Sequence, residues 1–277
     1  MLYLSLTDSP SLLPFPTRLP PPPLAPASAH TSIYSISLVL PCFNEERNIE
    51  HTIREAQEWF AHEHIDGEII VTDDGSTDGS LAVLCRLQQE MPNLKVVHHD
   101  ANRGYGAAVR SGCDQAQKGW IAFMDSDGQF HAHDLSRLLP LASSADYVTG
   151  IRKKRADTFH RRLNSWLYNM LVRVMLSVPV SDVNCGMKIF RRSIWSSIRP
   201  MYATGALVNA EMFCALEASR IPWKATVVPH YPRLAGNPTG AKPRVILRMF
   251  KELWHLKRAR RLAAEKNEAA PAVPFAN

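Results

Sequence analysis

A chain of 277 residues, 45% of them apolar and 21% charged, can bury a sizeable core and has ordinary globular composition, which argues against a disordered or fibrous protein. The net charge of +6 is mild, and no aromatic-basic platform or nucleic-acid module accompanies the basic residues, so no nucleic acid is expected as a partner. The cysteines (Cys42, Cys85, Cys113, Cys185, Cys214) are odd in number and scattered, with no CxxC or Cys/His ligand spacing; a disulfide framework and a structural zinc site are disfavoured, and a reducing, cytoplasmic setting fits.

In chain order, residues 1–32 read as a disordered proline-rich leader without helical or strand periodicity. They lack the charged start and unbroken apolar run of a signal peptide. A regular alternation then begins. "SISLVLPCF" is a strand, and "EERNIEHTIREAQEWFAHEH" has helical spacing at Ile49, Ile53, Ala56 and Phe60. "GEIIVTDD" is a strand, followed by the helix "TDGSLAVLCRLQQE" with Thr77 or Asp78 as its cap. "LKVVHH", "GYGAAVRSGCDQAQ" and "WIAFMD" continue as strand, helix and strand. Such alternation implies right-handed βαβ units and a mostly parallel central sheet flanked by helices, an α/β fold. After "YVTG" come a basic stretch, "IRKKRADTFHRR", a helix-like "LNSWLYNMLVRVML", the segment "SDVNCGMKIFRRS", a helix "NAEMFCALEASR" and a strand "KATVVPHYPR". No window approaches the roughly 20 apolar residues of a membrane span. The best, "WLYNMLVRVMLSVPV", contains Arg173 and ends near Pro179.

In sheets of this kind ligands bind at the carboxyl ends of the strands. Three strands here end in polar clusters, "PCFNEE", "TDDGSTDGS" and "MDSDGQF", and all three are expected along one edge. Asp125 and Asp127 stand one residue apart where a buried strand surfaces. In extended chain they present their oxygens to one space, and a cation is needed to relieve their repulsion. Hard oxygens at this spacing suit Mg²⁺ or Mn²⁺, with Gln129 one step further along. Alone, Asp-Ser-Asp-Gly is also good turn chemistry; the other two clusters tip the reading toward a site. Asp73 and Asp74 can accept from a ribose hydroxyl or a base N–H, and Glu45 can meet a base and ribose. "NRGYGAAV" lacks the third glycine of a dinucleotide fingerprint and does not follow the first strand. Arg103 in that segment is a candidate diphosphate contact, and no GxxxxGK[ST] loop exists. In "HAH", residues 131–133, the opening of a helix beside Asp134 outweighs a metal role.

These motifs together, in order and spacing, resemble the inverting family 2 glycosyltransferases with the GT-A fold, and among them the dolichyl- or polyprenyl-phosphate sugar synthases. The match runs from about Ser35 to about Gly240 through "LPCFNEE", "TDDGSTDG", "NRGYGAAVRSG", "DSDGQF", "GIRKKR", "RRLNSWLYN", "SDVNCGMKIFRR" and "PRLAG". The resemblance implies donor binding by Pro41, Phe43, Glu45, Thr72 and Asp74, with Asp125 and Ser126 also touching the donor. It implies metal ligation by Asp127 and Gln129. It makes Arg152, Arg161 and Arg233 the arginines around the donor and acceptor phosphates. "GNPTGAK" departs from the Gly-x-Ser-Lys often found in the family after the late arginine, and Lys242 is the candidate to stand in for the missing lysine.

The reaction implied is attack on the anomeric carbon of a GDP- or UDP-linked sugar, with inversion, by a polyprenyl phosphate. A hydroxyl acceptor on a glycan or glycolipid is the alternative. It would need a base, for which Glu211 in "NAEMF" is the candidate, against a plainer role in capping or salt-bridging its helix. A sugar nucleotidyltransferase would want a basic, glycine-rich first loop where "PCFNEERN" is acidic; a non-catalytic nucleotide-sugar or membrane-binding protein would not need the intact Asp125, Asp127 and Gln129. Residues 33–240 form the expected catalytic domain, and 241–277 a basic amphipathic tail. On a helical projection Ile246, Met249, Phe250, Leu253 and Leu256 share a face flanked by Arg244, Arg248, Lys251, Lys257 and Arg258. Such a helix either lies on an anionic membrane or packs on the domain. The expected location is peripheral, at the inner face of a membrane, and compatible with a separate membrane-spanning partner.

Overall fold

The computed structural model describes residues 35–152, 170, 180–205, 207–233 and 251–258. The leader, the basic stretch with Arg161, the expected helix over 163–176 apart from Met170, Lys242, and the tail positions Arg244, Ile246, Arg248, Met249 and Phe250 lie outside the described residues.

The alternation is realised as expected: β1 (Ser35–Cys42), α1 (Ile49–His62), β2 (Asp66–Asp73), α2 (Ser80–Glu90), β3 (Leu94–His98), α3 (Tyr105–Asp114) and β4 (Trp120–Met124). A 3-10 turn (Ala132–Arg137) and the short α4 (Leu139–Ala142) lead to β5 (Tyr147–Arg152). Then come β6 (Met187–Arg191), α5 (Trp195–Ile198), α6 (Val208–Ser219) and β7 (Trp223–Val228). Two apolar layers explain why β1 and β4 read as near-continuous apolar runs. Leu38 and Leu40 pack with Ile53, Trp59 and Leu84 on one face, while Val39 packs with Val109, Phe123 and Phe213 on the other. The α1 positions read from helical spacing are all buried. Gly79 takes the cap position of α2, and Asp78 just before it accepts from the Ser80 amide at 3.0 Å, so the capping expected of Asp78 is met one residue early.

The seven-stranded sheet has the order β3-β2-β1-β4-β6-β5-β7. Four of its six pairings are parallel; β6 runs antiparallel to both neighbours, β4 and β5. This reversal positions the site. Met124 pairs with Met187, so the start of β6, preceded by Cys185 and Gly186, arrives at the edge where β4 ends.

Residues 251–258 are helical. Leu253 and Leu256 are buried in the second apolar layer, and Glu252 Oε1 accepts the Thr204 and Gly205 amides at 3.1 and 3.2 Å. Over its described part the tail helix therefore packs on the domain, and these leucines do not face a membrane. Trp254 is on the outer side, 54% exposed, with the Arg258 guanidinium 5.5 Å from its ring centroid.

Candidate active site

The three polar clusters meet at one edge of the sheet, stitched by hydrogen bonds. The Asp74 amide donates to the Cys42 carbonyl at 2.8 Å, and the Ser126 hydroxyl donates to the Pro41 carbonyl at 2.6 Å. Asn44 turns with φ of 58°, a left-handed conformation that asparagine tolerates. From there its amide donates to Ser76 Oγ at 2.9 Å, and its side-chain oxygen accepts the Thr77 amide at 2.7 Å.

At the centre stand Asp125 and Asp127. The strand ends at Met124, and the segment beyond it bends through Gly128, whose φ is 76°. The two carboxylates thus approach through a turn, not through the pleat of an extended strand as expected. Burial, and after it the charge of Asp127, push the Asp125 carboxyl up to about 6, against the pull of Tyr105, Lys188 and Arg152. That crowding is the physical sign that the pair suits a cation: hard oxygen donors whose mutual repulsion a divalent ion relieves. Asp127 Oδ2 accepts from Arg233 Nη2, and the other arm of that guanidinium donates to Glu45 Oε1 at 3.2 Å. Asp127 Oδ1 accepts the Gln129 amide at 3.0 Å. Gln129 is further tied to Tyr231, its Nε2 donating to the Tyr231 carbonyl at 3.2 Å while the Tyr231 amide donates back to its carbonyl. Burial raises the Glu45 carboxyl, with Asn48 and Arg233 opposing.

Several expected contacts sit differently from the sequence reading. Thr72 is fully buried, its hydroxyl without a partner among the described residues and close enough to Gly112 of α3 that a Cβ there would come within 2.8 Å. Asp74 is 2% exposed, and its carboxylate accepts from His99 Nδ1 and the Arg103 and Gly104 amides at 2.7, 2.9 and 2.8 Å. With about four acceptor positions on a carboxylate, one is left for a donor, so its main task is to hold the 103–104 loop. Ser126 gives its hydroxyl proton to β1. Arg152 is locked in a two-pronged pair with Asp182 at 2.7 and 2.6 Å. Phe43 is half-buried and the Arg103 side chain exposed. His131 precedes a 3-10 turn, the helix opening expected beside Asp134, and its Nδ1 lies 3.0 Å from Glu55 Oε1; with His51 these side chains bring their donor atoms within 4.8 Å of one another.

Glu211, the candidate base for a hydroxyl acceptor, is engaged by the backbone. Its two oxygens accept the backbone amides of Met201 and Ala203 at 2.7 Å each and of Tyr202 at 3.0 Å, and it is 3% exposed. Burial raises this carboxyl above its ordinary value, with the three amides opposing, and a carboxylate so wrapped anchors the 201–203 loop. Glu211→Gln is expected to lower stability by about 1–3 kcal/mol, since an amide group would face those donors, while transfer per folded molecule stays within a few-fold. Urea unfolding beside a rate measurement checks this; a collapsed rate at unchanged stability would restore the base.

Three residues escaped the sequence reading. Tyr105 donates its phenolic proton to Asp125 Oδ1 at 2.7 Å. Gly186 lies so close under the same carboxylate that a Cβ there would meet Oδ2 at 2.0 Å. Lys188, fully buried in β6, donates to the Cys185 carbonyl and lies 5.0 Å from the Phe123 ring centroid. A lysine inside the apolar run "MKIF" was the one available signal. Burial pulls the Lys188 ammonium down to about 8, with Cys185, Asp125 and Asp182 opposing. Between that value and the ordinary 10.5 the unfolded chain binds the proton more firmly. Stability from this group therefore rises with pH across that window, and the penalty for the buried charge is full below it. Relative to Lys188→Met, the wild type is expected to gain stability from pH 8 to 10, by at most about 1.4 kcal/mol per pH unit. Urea midpoints of both proteins across that range measure it, and a flat difference would exclude the titration.

Comparison with known proteins bears on what this edge belongs to. The family model for glycosyl transferase family 2 matches residues 37–199. The chain is 32% identical over 206 residues to a dodecaprenyl-phosphate galacturonate synthase of Rhizobium johnstonii, covering 73% of this chain and 60% of that protein. It is 29% identical over 231 residues to an undecaprenyl-phosphate 4-deoxy-4-formamido-L-arabinose transferase of Pseudomonas syringae, covering 78% and 63%. The chain thus spans less than two thirds of these relatives' own length. Among solved structures, glucosyl-3-phosphoglycerate synthase of Mycobacterium tuberculosis, in complex with Mn²⁺, UDP and glucosyl-3-phosphoglycerate, superimposes with a TM-score of 0.59 at 21% identity, covering 80% of each chain. At that identity the likeness speaks to the GT-A fold. The matched segment runs from β1 through α5 and carries the whole polar edge except Arg233, and on that ground the chain belongs to glycosyl transferase family 2.

Proposed function

We propose that the chain transfers a sugar, with inversion, from a GDP- or UDP-linked donor to a polyprenyl phosphate, with Mg²⁺ or Mn²⁺ held by Asp125, Asp127 and Gln129. The observation that carries this reading is the crowded Asp125/Asp127 pair on the carboxyl edge of the sheet with Arg233 facing it. The relatives named for polyprenyl-phosphate sugar transfer support the acceptor, and the neighbour solved with Mn²⁺ and UDP supports the cation and nucleotide.

The acceptor's phosphate oxygen is already anionic near neutral pH. It attacks the anomeric carbon from the face opposite the leaving group, the bond from that carbon to the diphosphate oxygen breaks, and no proton has to be removed. When bound, the divalent ion neutralises charge on the departing diphosphate. The protein's own part is alignment and charge. Pro41, Phe43 and Glu45, with the remaining acceptor position of Asp74, border the base and ribose, and the exposed Arg103 reaches the diphosphate. Arg233, with Arg161 from the basic stretch, offsets the repulsion between the two phosphates. Arg152 acts through its pair with Asp182, holding the edge and adding positive potential near Asp125.

A hydroxyl acceptor would demand a base, and the engaged state of Glu211 favours the phosphate instead. Since the acceptor carries a lipid, the reaction belongs at a membrane surface. Among the described residues no helix is long and apolar enough to cross a membrane; the reading places the chain peripherally at that surface because its acceptor is a lipid, with a separate membrane-spanning partner compatible. Incubation with a panel of labelled UDP- and GDP-sugars, polyprenyl phosphate in vesicles, and Mn²⁺ or Mg²⁺ tests it. Metal-dependent label in the lipid phosphate is expected. Label only in hydroxyl acceptors would remove the lipid-phosphate reading.

A further inference from the structure

The geometry points to Tyr105 as the residue that sets the orientation of Asp125 for cation binding, which deepens the function proposed above and rests on it. Asp125 follows the last residue of β4 and has no strand partner of its own to fix its side chain. Its carboxylate is instead gripped from two sides. The Tyr105 hydroxyl donates to Oδ1 at 2.7 Å, and the carboxylate lies flat against the bare backbone of Gly186. A group held between a donor and a glycine has little freedom to turn.

Tyr105 is itself rigidly mounted, and the sequence "NRGYG" is the mount. The glycine before it has φ of 103°, a conformation that side chains rarely adopt, and its amide donates to Asp74 Oδ2 at 2.8 Å. The amide of the glycine after it donates to the Thr204 carbonyl at 2.8 Å, and a Cβ there would come within 2.8 Å of the Ala203 carbonyl oxygen. The start of α3 is thus pinned to the end of β2 on one side and to the 203–205 loop on the other. The tyrosine between the pins reaches over to the end of β4. Asp74, whose carboxylate is mostly taken up by this loop, acts on Asp125 at one remove through Tyr105.

A hydrogen bond to a charged group, once lost, is expected to weaken what that group binds by about tenfold. The test compares the wild type, Tyr105→Phe and Asp125→Asn by calorimetry with UDP and with GDP, each with and without Mn²⁺. Phenylalanine keeps the ring packing and removes only the donor. The inference expects Tyr105→Phe to leave metal-free nucleotide binding unchanged and to cut the increment that Mn²⁺ adds by about tenfold. Asp125→Asn should remove the increment altogether. Three results overturn the inference. A wild-type increment in Tyr105→Phe beside a lost one in Asp125→Asn would leave the cation reading standing and sink the role of Tyr105. Equal weakening with and without Mn²⁺ would mark Tyr105 as a mere support of the nucleotide cleft. No increment in the wild type with either nucleotide would remove the cation reading and this inference with it.

Discussion

Arg233→Ala is expected to change two measurements in opposite directions: transfer falls by about a hundredfold or more, while Mn²⁺ alone binds about five-fold more tightly. The first effect follows if the guanidinium stabilises the phosphates during transfer, where loss of one preorganised charged donor costs on the order of 10²–10³ in rate. The second follows from the ligand-free geometry. Arg233 bridges Asp127 and Glu45, so it is a positive charge in direct contact with Asp127 before any metal arrives, and an incoming ion has to displace it. Breaking a partly exposed ion pair costs up to about 1 kcal/mol, which is the five-fold. Paramagnetic resonance of free Mn²⁺ gives the affinity, and labelled lipid gives the rate. A variant that binds Mn²⁺ more weakly than the wild type would show that Arg233 supports the cation and does not compete with it.

Gly186→Ala is expected to reduce transfer by about a hundredfold with little loss of stability. The added methyl would sit 2.0 Å from Asp125 Oδ2, far inside contact distance, and the next residue, Met187, is held in the β4–β6 pairing. The carboxylate is the part that can move, and misplacing a catalytic group by about 1 Å can cost about a hundredfold. Because the displaced group is a polar side chain at the sheet's end and not a packed apolar residue, the fold should tolerate the change. A steady-state rate beside a thermal melt distinguishes this from general unfolding; a near-normal rate would mean that Asp125 need not lie on Gly186.

The sheet and its ligand edge were legible because they rest on local signals. Helical spacing at Ile49, Ile53, Ala56 and Phe60, and apolar strands ending in Asp and Gly, are visible in any short window. The order in which strands pair is not local. Nothing in "MKIFR" announces that it enters the sheet reversed between β4 and β5, and so nothing brought Gly186 and Lys188 next to "MDSDG". Tyr105 was hidden for the same reason: its segment was rightly set aside as a dinucleotide loop, but its contact lies across the sheet edge. Asp74 and Ser126 share one lesson, while Thr72 is buried against Gly112 of α3 with its hydroxyl unpartnered among the described residues. Polar residues at a strand end first have to satisfy the backbone around them, and hydrogen bonding within the protein takes up capacity that motif reading assigns to a ligand. Glu211 follows it too, since a buried carboxylate among amides was readable only as a polar residue in an apolar helix.

The reversal of β6 also divides the molecule into parts that can change independently. β5 departs at Arg152 and β6 returns at Met187 on the same rim, and the Arg152–Asp182 pair fastens the two strands' outer ends together. Whatever length of chain lies between them enters and leaves by one doorway. The carboxylates and the sheet beneath them are thus carried by chain that lies before Arg152 and after Asp182, and this rim is a natural seam in the scaffold.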